Sequence, residues 1–513
     1  MKRHRILLLI ISLFIFVVGC ASSSSSEEST NNEYSYHITT EERDERLSHA
    51  RLSILLGGID ELQIPNLYPS ATLLTYSSNM DKLFALASNK ADYAICSSAQ
   101  GIIYSKNNHN EYEYCDEPLY TMGNAFALNK QNTDLQQKIS ECIQTLKADG
   151  TLDSMEQKWV YDSNYTMDDV PTITDTSAPV LKVATDCSSE PFTFISNEKP
   201  AGFDIEVISR VAYMLGMRVE FNIMSFSSTI VSVISGKSDV AVNVTPTEER
   251  KKEVCFSDIY YEVKVVALSK KEGVQASYFN DIKDSFKSTF ITENRWKLFV
   301  QGIEITFIIS IFSFVLATIV GALLCLMLIS KKKLANKLAH IYVKLASGIP
   351  ILVWLMILYY IVFKSIDISG IVVAVIAFGL QTGASLSGIF KTGIDSVDHG
   401  QVEAAEALGF NTFTTYKKIV IPQAIFRIFD LYKGEFVSLV KATSIVGYIA
   451  INDLTKVSDI VRSRTYEAFF PLIITAIIYF ALANLVIVVL NIIQKKINPR
   501  QRKVVLKDVK THE

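Results

Sequence analysis

Across 513 residues there are only seven cysteines, seven histidines and three tryptophans, and no two cysteines form a CxxC pair. Cys96, Cys115, Cys142, Cys187 and Cys255 make an odd set, and Cys325 falls in an apolar run. Neither a disulfide framework nor a metal site is expected from such spacing. Charge of one sign is also missing. The net charge is −3, from 50 basic and 53 acidic residues, so there is no polybasic signature for nucleic acid. A phosphate-binding loop is absent too. Gly236-Lys237-Ser238 ends like one, but the glycine required five positions earlier is Val231. Nucleotide hydrolysis is therefore not expected on this chain.

Apolar residues are abundant but unevenly spread. Mean hydropathy is +0.24, and the length suggests about three units. Residues 34–295 read as soluble, whereas 299–495 hold nearly all the long apolar runs. The N-terminus reads as an export signal: a basic Lys2-Arg3-His4-Arg5, then an apolar core from Ile6 to Val18. Val17-Val18-Gly19-Cys20 resembles a bacterial lipobox, which implies a signal peptide over 1–20 and lipid on Cys20. An uncleaved anchor is the rival reading. A Ser/Glu-rich tether over 21–45 would follow.

Runs of membrane length occur at about 302–329, 338–363, 369–390, 420–449 and 470–494. Lys331, Lys332, Lys333 and Lys337 follow the first, Lys417 and Lys418 precede the fourth, and Lys495, Lys496, Arg500, Arg502 and Lys503 follow the last. The positive-inside rule puts all three regions in the cytoplasm, which five crossings after an exported domain also require. Arg462 and Arg464 run against that asymmetry.

Between the third and fourth runs stands EAAEALGFNTFTTYKKIVIP, residues 403–422. Ala404, Ala405 and Ala407 let a helix lie close against a partner, and Gly409 permits a left-handed stop. This stretch resembles the cytoplasmic coupling loop of ABC importer permeases. Gly348-Ile349-Pro350, Gly400-Gln401 and Lys441-Ala442-Thr443-Ser444 look like the polar amino-acid branch of that family, over about 295–495. The resemblance implies that Glu403, Ala404, Ala405, Gly409 and Pro422 couple to a separate ATPase dimer. ATP and Mg would sit on that partner, and a second permease copy would complete the pathway. It also implies a bacterial plasma membrane location. Charges inside the fourth run, Asp430, Lys433, Glu435 and Lys441, would line a translocation path or pair structurally, as Asp430 could with Lys433. Glu435 and Lys441 are the path candidates. Where the family commonly has an acidic residue and an arginine in the third span, Gly388 and Lys391 stand here.

The polar half has its own pattern. Strand LKVATD leads to Glu190-Pro191-Phe192-Thr193-Phe194, then Gly202-Phe203-Asp204 opens an amphipathic helix, and DVAVNV precedes Thr245-Pro246-Thr247-Glu248-Glu249-Arg250. Thr245 at the N-cap, Pro246 at N1 and Glu248 at N3 would make a capping box whose free N–H groups favour an anion, with Arg250 to grip a carboxylate. Residues 179–275 resemble the first lobe of a type II, amino-acid-class solute-binding protein, and 46–160 resemble its second lobe. The expected class is thus a two-lobed α/β binding protein, circularly permuted, joined by linkers at 161–178 and 276–296 to a five-helix permease domain over 297–513. Two incomplete domains pairing across subunits are the rival. The resemblance implies substrate contacts from Asp186, Phe192, Phe194, Thr245, Arg250, Ser97 and Gly58. Gly58 and Ser97 replace the family's hydroxyl and its ammonium-binding aspartate, so Asp60, Glu61 or another group must compensate or the ligand is not an ordinary α-amino acid. The expected function is ATP-driven uptake of a small polar solute, an amino acid or relative. A ligand sensor and a ligand-gated channel are the alternatives, although no re-entrant selectivity loop is visible.

Overall fold

The computed structural model describes residues 39–497, apart from 109–110, 116, 163–165, 168, 272–281, 365, 367 and 468, together with the backbone of 35–36. The expected leader with Cys20, most of the tether and the chain beyond 497 lie outside the described residues. Contacts divide the chain into two units. One is Met1–Phe299 with Ser458–Ile473, and the other is Val300–Val457 with Ile474–Glu513. The stretch Ser458–Ile473, which the sequence sets between the last two apolar runs, thus belongs with the first unit.

The first unit has two α/β lobes. In one, the parallel strands Arg51–Leu55, Thr72–Tyr76 and Tyr93–Ser97 alternate with helices Asp60–Leu67 and Asn79–Ala87. In the other, Val180–Thr185, Arg218–Ile223 and Val240–Val244 are parallel and alternate with Phe203–Met214 and Phe226–Ile234. Parallel strands need crossover helices, so each lobe is an α/β layer whose inner strands are buried and whose outer strands, Thr72–Tyr76 and Arg218–Ile223, stay partly exposed. Two long strands join the lobes. Tyr120–Asn129 pairs with Tyr261–Lys270 through its first half and with Val240–Val244 and Val254–Phe256 through its second. Residues 133–161, which precede the first-lobe strands in sequence, pack in their core through Ile139, Ile143, Leu152 and Trp159 beside Leu181, Phe203 and Val240.

The second unit is helical. Trp296–Leu328, Gly370–Asp395 and Phe470–Lys495 are long and apolar enough to cross a membrane, and up to five spans result if each bent pair of helices is counted as one. The single span expected over 338–363 is instead two helices, Lys333–Gly348 and Ile351–Val362, bent by 107°. Pro350 explains the break, because proline lacks the N–H to continue the ladder and pushes its predecessor out of helical space. Ile349 accordingly sits at φ −101°, ψ 127°. Close helix approach depends on missing side chains. A Cβ on Gly383 would lie 2.8 Å from Val320 Cγ1 and 3.2 Å from the Ala317 carbonyl oxygen. Small residues at such contacts replace the hydrophobic drive that lipid cannot supply.

Gly383→Leu should therefore lower the yield of folded protein in membranes and its melting temperature in detergent, at a cost of about 1–3 kcal/mol or more from overpacking. Gly388→Ala meets nothing within 4 Å and should leave both unchanged. Fluorescence size-exclusion and thermal-shift measurements check the pair.

Candidate functional site

The parallel strands of both lobes direct their C-terminal ends into one crevice, the place where open α/β sheets take ligands. Leu55 leads to Gly58 and Asp60, Ser97 starts the helix Ser98–Asn107, Thr185 leads to Ser189, and Val244 leads to Thr245. They line a cavity of about 80 Å³ together with Lys82, Gln100, Asn124, Phe192, Asn243 and Arg250. Of the expected contacts, Phe192, Thr245, Arg250, Ser97 and Gly58 converge here. Asp186 and Phe194 do not. The Asp186 carboxylate accepts from Ser188 Oγ at 2.6 Å and Thr193 Oγ1 at 3.0 Å within its own lobe. Phe194 is in the first-lobe core, edge-on to Trp159.

Arg250 is anchored differently from expectation. The helix Glu248–Glu253 is capped by Thr247, whose hydroxyl accepts from the Arg250 N–H at 3.2 Å, so the cap is two residues later than Thr245. Pro246 then precedes the helix, and Thr245 is free to offer its carbonyl to Arg250 Nη1 at 2.7 Å. Arg250 Nη2 donates to the Gly57 carbonyl at 2.6 Å, across the crevice. Burial lowers the Arg250 pKa, but a guanidinium stays charged at any working pH. Ser97 is also engaged: its hydroxyl accepts from the Gln100 N–H at 3.1 Å as the cap of the next helix. A Ser followed three residues later by Gln is a capping signal visible in sequence. The crevice is shut by a further bond, Asn79 Nδ2 to Ser189 Oγ at 2.7 Å.

Sequence reading passed over Lys82, which is 3% exposed in a helix face otherwise built from Met80, Leu83, Phe84 and Leu86. A lone lysine inside that apolar run was the available signal. Asp60, named only as a possible compensator, is buried, and its carboxylate accepts from the Tyr120 hydroxyl. Burial raises the Asp60 pKa, and the nearby Lys82 charge opposes that rise.

Beside the lips of the crevice lies the segment Ser458–Ile473. Arg462 Nη2 reaches Asp81 at 2.6 Å in one lobe, and Arg464 pairs with Glu190 in the other and with Glu293 at 3.0 Å. Each guanidinium also covers a ring, Phe84 at 4.8 Å and Phe194 at 4.7 Å. Asp81 and Glu190 are sequence neighbours of Lys82 and Ser189, so the two arginines grip the residues flanking the cavity. Tyr466 adds an edge contact to Tyr104 at 5.7 Å.

In the second unit the helix His399–Ala407 ends as its sequence predicts. Gly409 takes φ +84°, its N–H bonds the Glu406 carbonyl, and the Phe410 N–H bonds the Ala405 carbonyl. This is the paired 6→1 and 5→2 pattern of a left-handed helix stop. Ala405 is buried against the chain, whereas Glu403 and Ala404 are exposed, as are Leu408, Phe410 and Phe413. Pro422 lies in the first turn of Ile421–Ala442. Further along that helix Lys433 pairs with Asp430 at 2.6 Å and with Asn491 and Gln494. Glu435 is half-buried and Lys441 exposed, and the helix does not bring the two together.

One buried carboxyl stands apart from the crevice. Both oxygens of Asp204 are sealed from water, beside the Tyr260 hydroxyl. Burial pushes its pKa up to about 8, with the Tyr260 hydroxyl opposing and the Asp186 charge adding to the rise.

Residues 313–503 match the family described as binding-protein-dependent transport system inner membrane component. A putative glutamine transport system permease protein GlnP of Rickettsia typhi is 36% identical over 201 residues, 38% of this chain and 91% of the relative. A probable amino-acid ABC transporter permease protein YckA of Bacillus subtilis is 33% identical over 198 residues, covering 38% and 88%. A crystal structure of an amino acid ABC transporter with histidines aligns with 42% of this chain and 99% of its own at 30% identity and a TM-score of 0.38.

Asp204 gives a pH dependence of known sign. A carboxyl raised from its ordinary value to about 8 holds its proton in the folded state, so its contribution is complete below about pH 4 and is lost as pH rises through 8. The unfolding midpoint of the lobed unit should fall between pH 5 and pH 8.5. Asp204→Asn, which cannot ionise, should flatten that slope in calorimetric scans of the detergent-solubilised chain.

Proposed function

The chain belongs to the family of binding-protein-dependent transport system inner membrane components, and on that premise we propose that it is receptor and permease in one polypeptide. Its lobes capture a small polar solute of the amino-acid class outside the bacterial plasma membrane, and its helices pass the solute inward through an ABC importer. The observation that carries this reading is the presence, in one chain, of the family match over 313–503 and a closed two-lobed crevice with a cation at its wall. The amino-acid class comes by analogy with relatives named for glutamine and amino-acid transport.

In this reading the Arg250 guanidinium binds the solute carboxylate, which would exchange its two carbonyl partners for a charge-assisted, bidentate one. Closure then completes the Asn79–Ser189 bond, and Arg462 and Arg464 hold both lips in that state. At the other end, Leu408, Phe410 and Phe413 form the apolar face that a separate ATPase dimer would cover, with Glu403 and Ala404 beside them. ATP and Mg belong to that partner. A second permease copy would complete the path, with Glu435 on its wall. The lobe order fits a circularly permuted binding protein, because the strand Tyr120–Asn129 leaves the second lobe before the first begins.

Co-purification with an ATPase subunit and ATP-dependent uptake into proteoliposomes test the reading. Arg250→Ala should weaken solute binding by about 2–5 kcal/mol, typical of removing one side of a desolvated charge pair. Gly409→Leu should abolish uptake while binding persists. Arg464→Met, which releases the Glu190 lip, should weaken solute binding and cut uptake at least tenfold. Normal uptake by Gly409→Leu would remove the coupling claim, normal uptake by Arg464→Met the hold on the lip, and unaltered binding by Arg250→Ala the carboxylate site.

A further inference from the structure

The crevice holds more positive than negative charge. Lys82 lines it, is 3% exposed, and its ammonium has neither an ion pair nor a hydrogen bond among the described residues. An ammonium that loses water without gaining a partner is expensive, so its place is explained by a ligand or by a counterion. Asp60 is the natural counterion, yet no ion pair joins the two within 4.0 Å, and the Asp60 carboxylate takes the Tyr120 hydroxyl instead. Among the described residues the Arg250 guanidinium meets only carbonyl oxygens. Two cations and one carboxylate therefore face the same enclosed space, each short of a charged partner.

We propose that the solute is an acidic α-amino acid, with two carboxylates and one ammonium: Arg250 takes one carboxylate, Asp60 takes the ammonium and Lys82 takes the second carboxylate. This inference rests on the reading of Arg250 as a carboxylate anchor. A ligand of net charge −1 neutralises the cavity group by group. A neutral amide side chain would leave Lys82 buried without a counter-charge, the kind of mismatch that separates ligands by orders of magnitude when a site is built for the missing group. A plain dicarboxylate would leave Asp60 without its cation. Ser97, standing where the family's ammonium-binding aspartate would be, is spent on capping its helix, and Asp60 supplies the carboxylate from the adjacent strand end.

Titration calorimetry on the full chain in nanodiscs, with L-glutamate, L-aspartate, L-glutamine and glutarate, tests the proposal. One of the two acidic amino acids should bind at least tenfold more tightly than L-glutamine and glutarate. Lys82→Met should erase the advantage over L-glutamine, and Asp60→Asn should erase the advantage over glutarate. If wild type prefers L-glutamine, or if Lys82→Met keeps the wild-type order of affinities, Lys82 is a structural charge and the proposal fails, with the Arg250 anchor untouched. If Arg250→Ala binds every compound as wild type does, the anchor itself is wrong and the acidic assignment falls with it. Should Lys82→Met not fold, the wild-type order of affinities decides alone.

Discussion

Arg464 is 17% exposed at its side chain, lies over Phe194, and is matched by Glu190 and Glu293, of which Glu190 is 3% exposed. A charge so withdrawn from water is tolerable only while its partners stay in place, and removing one side of such a pair costs about 3–5 kcal/mol. Much of the lobed unit is arranged around that demand. Arg295 reaches the same Glu293, Glu190 follows the cavity residue Ser189, and Arg462 repeats the arrangement with Asp81 in the other lobe. The segment Ser458–Ile473 is thereby tied to both walls of the crevice.

The same pairs occupy Arg462 and Arg464, the two charges that run against the asymmetry expected from the sequence. Arg464 is offset by Glu190 and Glu293, 274 and 171 positions away, and Arg462 by Asp81, 381 positions away, as well as by Asp459 three residues before it. The Asp459 pair is local, and no local pattern announces the other three.

What was legible follows the range of the interactions. The helix stop at Gly409 rests on bonds between residues three and five apart, and the family stretch around it could be read directly. The alternation of strands and helices in the lobes was equally open, because each element carries its own apolar period. The break at Pro350 was local too, yet the continuous apolar composition of 338–363 hid it. The Thr245 cap was misplaced because Thr245-Pro246-Thr247 offers two hydroxyls, and only the turn geometry selects Thr247. Lys82 was missed for the opposite reason: its meaning depends on Asp60, Tyr120 and Arg250, which three separate strand ends bring to it. Asp186 and Phe194 were expected in the crevice from the neighbouring motif, and the backbone turn after Thr185 carries them into the lobe interior instead.

The strand Tyr120–Asn129 runs unbroken through both lobes, with Tyr120–Asn124 registered against Tyr261–Val265 and Ala125–Leu128 against Val240–Val244. Side chains along a strand alternate faces, so shifting it by one residue would invert every position at once in two hydrophobic cores. The partner strand takes up one extra residue between Ala241 and Val244, and the pairs on either side of that bulge keep their faces. The register of this one strand therefore also decides that Met122 and Asn124 are the residues it lends to the crevice wall.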